Sequence, residues 1–82
     1  MIQAAQIRAA RALLGWRQED LAKAAKTGLA TIARIEQREG PAQGHTSTIV
    51  RIEAALERAG VRFFQDEDGS FGVRLIKKAK RA

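Results

Sequence analysis

Chemistry in this chain has to come from arginine, lysine and glutamine, because the side chains that usually catalyse are missing or isolated. There is no cysteine, and His45 is the lone histidine. No second imidazole or paired carboxylate lies near it in sequence to complete a metal set. No nucleophile stands beside a base, and no glycine-rich loop is laid out to cradle a phosphate. These observations predict a protein that is not an enzyme and takes no metal and no cofactor. What the chain does carry is donors. Lysine and arginine number 15 against 9 aspartates and glutamates, for a net charge of +6. Such groups donate to phosphate oxygens and base edges. The excess therefore favours nucleic acid or another anionic surface as partner.

Donors need a scaffold, and the scaffold is small. Eighty-two residues make one domain with little room to bury a core. The 45% hydrophobic content is inflated by alanine, so a dimer that buries extra surface is attractive. No apolar run is long enough to span a membrane. The start MIQAAQIRAA lacks the basic head and apolar block of a signal peptide, and the absence of cysteine fits a reducing compartment. A soluble cytoplasmic protein is expected.

Over residues 2–14 apolar side chains recur at helical spacing, with Ile7, Ala10 and Leu14 on one face. Gly15 is a suitable stop. Arg8 and Arg11 lie beside the stripe, as solvated charges or as phosphate contacts. Trp16 is expected to plug the core between the first two helices. A second pattern (Leu21, Ala22, Ala25) opens with Glu19 and Asp20, which suit a helix's positive end. It breaks at Lys26-Thr27-Gly28 and resumes at Ile32 and Ile35. Neither half can stand alone, since isolated helices below about 12–15 residues are marginal. They must cross closely, with Ala22 at the tightest point.

Gly40-Pro41-Ala42-Gln43-Gly44-His45 reads as a loop. Thr46-Ser47 is placed to cap a fourth helix over about residues 47–59, carrying Ile49, Ile52 and Leu56 inward. Glu53 and Glu57 look like its solvated face, and Gly60 ends it. Beyond Gly60 the period shortens to 2, in Val61-Arg62-Phe63 and again in Phe71-Gly72-Val73-Arg74-Leu75. Asp68-Gly69 between them signals a hairpin. A lone hairpin is marginal, so Phe63, Phe71, Val73 and Leu75 must be covered. Two covers are open: a second copy of the chain, pairing strands across a two-fold axis, or the chain's own helices. The closing Lys77-Lys78-Ala79-Lys80-Arg81-Ala82 is a solubilising tail or a sequence-independent phosphate contact. The organisation expected is thus a helical domain over 1–60, a β-hairpin over 61–76 as dimerisation element, and a basic tail over 77–82.

Two short helices joined by a tight turn, the second with a free outer face, is the layout of a helix-turn-helix. The residues carry the resemblance further. Gln18 opens the motif, Leu21-Ala22 lie in its first helix, and Ile32 and Ile35 lie inside its second. Thr31-Ile32-Ala33-Arg34-Ile35-Glu36 and the later Thr48-Ile49-Val50-Arg51-Ile52 through Leu56 complete the set. From about residue 6 to 60 the chain resembles the XRE family, the Cro and lambda-repressor type of helix-turn-helix. The fold implied is mainly α: four helices of lambda-repressor-like arrangement, followed here by the hairpin and tail. The family usually has glycine at the turn, where this chain has Lys26. Either Lys26 takes the left-handed conformation, at a cost of about 1–2 kcal/mol, or the turn takes another shape with Thr27 or Gly28 capping the next helix.

By the docking geometry this resemblance implies, base-reading residues come from the outward face of the third helix: Leu29, Ala30, Thr31, Ala33 and Arg34. Apolar side chains there sense the thymine methyl, and a guanidinium pairs with guanine O6 and N7. For Arg34 an ion pair or a plain phosphate contact is the competing reading, and for Leu29 a place in the core. Backbone contacts are expected from Arg17, Gln18, Lys26, Gln37, Arg38 and Gln43, with His45 a loop residue before the fourth helix.

The resemblance implies a sequence-specific regulator of transcription that binds double-stranded DNA. It would be a dimeric repressor placing its third helix in the major groove of a palindromic operator. Two alternatives stand beside it. One is an antitoxin that represses its own operon and masks a protein partner; the other is an interaction module that has lost DNA.

Overall fold

The computed structural model describes residues 2–76; Met1 and the basic tail, residues 77–82, lie outside them. Four helices and a hairpin follow in the expected order: α1 (Ala4–Leu14), α2 (Gln18–Ala25), α3 (Leu29–Gln37), α4 (Thr46–Arg58), β1 (Val61–Gln65) and β2 (Phe71–Leu75). The core is built where the periodicities placed it. Ile7, Leu21, Ile32, Ile35, Ile52, Leu56 and Val61 are fully buried, drawn from all four helices and the first strand. Burying a side chain of this size is worth about 1.5–3 kcal/mol each, which is why five short elements cohere. Ala22, only 6% exposed, lets α2 and α3 cross closely, and Trp16 packs half-buried against the core.

Lys26 settles the turn between α2 and α3. It sits at φ 56°, ψ 50° and is the one non-glycine residue with positive φ among those described. Gly28 is the N-cap residue of α3, its carbonyl accepting from Ile32 N (3.2 Å), and no side chain caps the helix. The left-handed alternative is the observed one. α4 begins one residue earlier than expected, and its cap differs: extended His45 precedes it, with no side-chain hydrogen bond. Thr46 is already helical, so the expected Thr46-Ser47 cap does not form.

Arginines finish the helix ends. Arg51 Nε donates to Ala25 O (3.1 Å) and Arg58 Nη2 to Ala24 O (3.5 Å), both from α4 onto the last turn of α2. Arg8 Nη1 donates to Glu36 O at the end of α3. The last carbonyls of a helix have no partner within it, and a cation there also suits the dipole.

The strands pair antiparallel, with Phe63 opposite Val73 and Phe64 opposite Gly72. The turn closes by Gly69 N donating to Asp66 O (3.0 Å), with Gly69 at φ +91°. This is a longer connection than a two-residue Asp68-Gly69 turn. Phe63 and Val73 pack half-buried on the helical core, and Gln6 fastens the hairpin down. Its Nε2 donates to Gly72 O (2.8 Å) and Phe64 O (3.3 Å), while its Oε1 accepts from Gln3 N (2.8 Å). The hairpin thus rests on the chain's own helices.

Candidate nucleic-acid interface

The orientation of α3 is set by what lies beneath it. Glu36, 2% exposed, accepts from Arg11 Nε and Nη2 at 2.8 Å each and from Gln18 Nε2 at 3.1 Å. Arg11 in turn donates to Trp16 O at 2.9 Å. One carboxylate therefore ties α1, the start of α2, and α3 together. Its hydrogen bonds raise the pKa of the Arg11 guanidinium still further, desolvation opposing. Bidentate arginine–carboxylate geometry fixes angle as well as distance.

With Ile32, Ile35 and Glu36 turned inward, the other side of α3 must face solvent. Leu29 is 48% exposed; Ala30, Arg34 and Gln37 are exposed and Ala33 is half-buried. Leu29 has not tucked into the core. Thr31 is half-buried and lines a cleft between α3 and α4 with Thr27, Arg34, Gly44, His45 and Thr48.

The nine described arginines divide sharply. Arg8, Arg11, Arg51, Arg58 and Arg62 hold backbone carbonyls or Glu36. Arg17 pairs with Glu19 (2.7 Å) and Asp20 (3.4 Å), Arg38 donates to Gln43 Oε1 (2.7 Å), and Arg74 lies over the Phe64 ring at 5.4 Å. Only Arg34, among the described residues, has no hydrogen bond, ion pair or ring contact. The competing ion-pair reading of Arg34 is absent.

A helix-turn-helix family model matches residues 7–60. The chain belongs to the XRE family. No curated protein and no solved structure matches it beyond that. As an XRE-type domain it is a DNA-binding regulator, and the family match ends at Gly60, where β1 is about to begin.

The backbone candidates of this XRE-type domain fall into two groups. Gln18 sits at the first residue of α2 with one amide hydrogen held by Glu36. Arg17 and Lys26 are exposed at the two ends of α2, and Gln37 at the end of α3. Arg38 and Gln43 are bonded to each other and close the α3–α4 loop. The structural roles of Glu36 beneath α3 and of Gln6 beneath the hairpin are not signalled by their neighbours in the sequence. Glu36 and Gln6 look like ordinary polar residues, since their partners lie 25 and up to 66 positions away.

Proposed function

We propose that this XRE-family protein is a dimeric transcriptional repressor that reads a palindromic operator with α3. One observation carries the reading of α3: its outward face is open, and the single unengaged arginine of the described chain stands on it. Leu29, Ala30, Ala33 and Arg34 face base edges, with Thr31 at the margin, while Arg17, Gln18, Lys26 and Gln37 hold phosphates. Arg38 and Gln43 act as a pair, stiffening the loop that runs beside the backbone. Two copies of α3 would enter successive major grooves about 34 Å apart, and repression follows where the operator overlaps a promoter. A cytoplasmic, nucleoid-associated location goes with that role.

The test is duplex binding by the native protein and by Arg34→Ala. A bidentate guanine contact is worth about 1–3 kcal/mol of discrimination, so the variant should bind about 5- to 150-fold more weakly to its preferred duplex. Its affinity for unrelated duplexes should change far less. Equal binding of both proteins to all duplexes would remove base reading by Arg34.

A second copy is supported by the edge of β2. Asp66 N donates to Ser70 O and Ile76 N to Gly60 O, so the even-numbered residues make the ladder bonds. The amides and carbonyls of Phe71, Val73 and Leu75 therefore point away from β1. They have no partner among the described residues. On the opposite edge, Arg62 Nη1 donates to Val61 O (2.9 Å). One edge is obstructed and the other open. Phe71 and Leu75, 44% and 41% exposed, flank Val73 along the open edge. An antiparallel strand from a second copy, with Val73 near the two-fold axis, satisfies those groups and covers those side chains. Phe63 is then a support beneath the interface.

A further inference from the structure

We infer that the deepest-reaching part of α3 selects its site by the 5-methyl group of thymine, with Leu29 as the principal contact. This rests on the reading of α3 as the recognition helix and names what that helix recognises. A recognition helix presents its N-terminal residues to base edges. Here those residues are hydrocarbon. Leu29 and Ala30 are exposed, and Ala33 lies one turn on along the same side. Gly28 ahead of them has no side chain, and a Cβ placed there would meet only Thr31 Oγ1, at 3.9 Å. Thr31 is half-buried and, like Arg34, lines the cleft facing α4. Past half-buried Thr31, the exposed polar side chains of the outward face are Arg34 and Gln37, more than a turn beyond Leu29.

In the major groove the thymine methyl is the one apolar group a base pair displays; the remaining features are donors and acceptors. Set against Leu29, an adenine, guanine or cytosine edge loses water and receives no hydrogen bond in return. A thymine methyl loses only unfavourable contact with water. Attraction and penalty therefore select the same base. 5-Methylcytosine carries the same methyl group, but its neighbouring amino group is a donor where thymine has an acceptor. Arg34, exposed on the same face, and the unpaired amides of the helix start are donors only. They suit thymine.

The experiment begins with duplexes selected by the native protein from a random pool. The selected duplex is then synthesised with thymine, with deoxyuridine, or with 5-methylcytosine paired to guanine at the thymine positions, and each is titrated with native protein and Leu29→Ala. Removing the methyl should weaken native binding about fourfold for each methyl contacted. Leu29→Ala should bind the thymine and uracil duplexes alike while melting as the native protein does, since Leu29 lies outside the core. Equal native affinity for thymine and uracil duplexes overturns the inference, as does an undiminished thymine preference in Leu29→Ala. A 5-methylcytosine duplex that binds as well as the thymine one overturns the choice of thymine. If no sequence is selected, the recognition-helix reading falls and this inference with it. A selected site indifferent to the methyl sinks only the inference.

Discussion

Glu36 shows how much one buried side chain can decide. It is charged, nearly inaccessible, and satisfied on both oxygens, so replacing it removes partners from Arg11 and Gln18 together. Breaking a buried pair from one side costs about 3–5 kcal/mol; Arg11 keeps 21% side-chain exposure, which puts Glu36→Ala near the lower end. Stabilities of small domains run about 5–15 kcal/mol, so urea denaturation should show a large loss. A midpoint within error of the native one would mean that the knot contributes nothing net. Glu53 behaves in the opposite sense. Burial, aided by the nearby charge of Glu57, raises its pKa above the ordinary carboxylate value. The folded state then binds the proton more tightly than the unfolded chain, so ionised Glu53 costs stability above its folded pKa. That cost fades as pH falls and is gone below the unfolded value. Glu53→Gln should therefore stabilise at neutral pH, with the gain shrinking through the acid range. Melting temperatures at pH 7 and pH 3.5 measure it, and a gain independent of pH would rule out ionisation as the cause.

At the scale of elements, the turn between α2 and α3 carries a strain whose removal is testable. Lys26 holds a left-handed backbone that costs a side-chain-bearing residue about 1–2 kcal/mol. Glycine adopts it freely but gives up more unfolded-state entropy. Lys26→Gly should come out stabilising by about 0.5–1 kcal/mol. A ΔΔG of 1 kcal/mol shifts Tm by about 4–8 °C in a domain of this size, so a rise of a few degrees is expected. An unchanged or lower Tm would show that the Lys26 side chain contributes what its backbone loses. The hairpin is held differently, by one carboxamide. Gln6 joins the start of α1 to two ladder carbonyls, and Phe63 and Val73 supply the apolar contact beneath. The hairpin is thereby docked on the helical domain through both polar and apolar contacts.

For the whole molecule the decisive measurement is association state. If β2 pairs with β2 of a second copy, sedimentation at micromolar concentration should give twice the mass of the 9.0 kDa chain. Val73→Pro, which cannot donate from the edge and fixes its own φ, should return it to a monomer that keeps its helical circular dichroism. A native monomer at concentrations that saturate DNA would exclude the dimer. A complex with a different small protein, in place of a second copy, would favour the antitoxin alternative.

The family, the four helices, the turn and the hairpin were legible in the sequence because they follow from local rules. Ile7 with Ala10, Ile32 with Ile35 and Ile52 with Leu56 mark buried faces by spacing alone, and Phe71 to Leu75 marks a strand by alternation. The outward set on α3 followed from the same geometry, since a helix that buries Ile32 and Ile35 must expose Arg34. Tertiary structure alone decided which charges are free. Arg8, Arg11, Arg51 and Arg58 look as available as Arg34 along the chain, yet each is taken by a carbonyl or carboxylate brought near from a distant position. It decided likewise that Lys26 bears the left-handed turn, that Gln6 anchors the hairpin, and that Arg62 obstructs one edge while the other is open among the described residues. Spacing specifies which face of an element is apolar. It does not specify which polar group from elsewhere will meet the ends and edges left over, because that depends on packing all six elements at once.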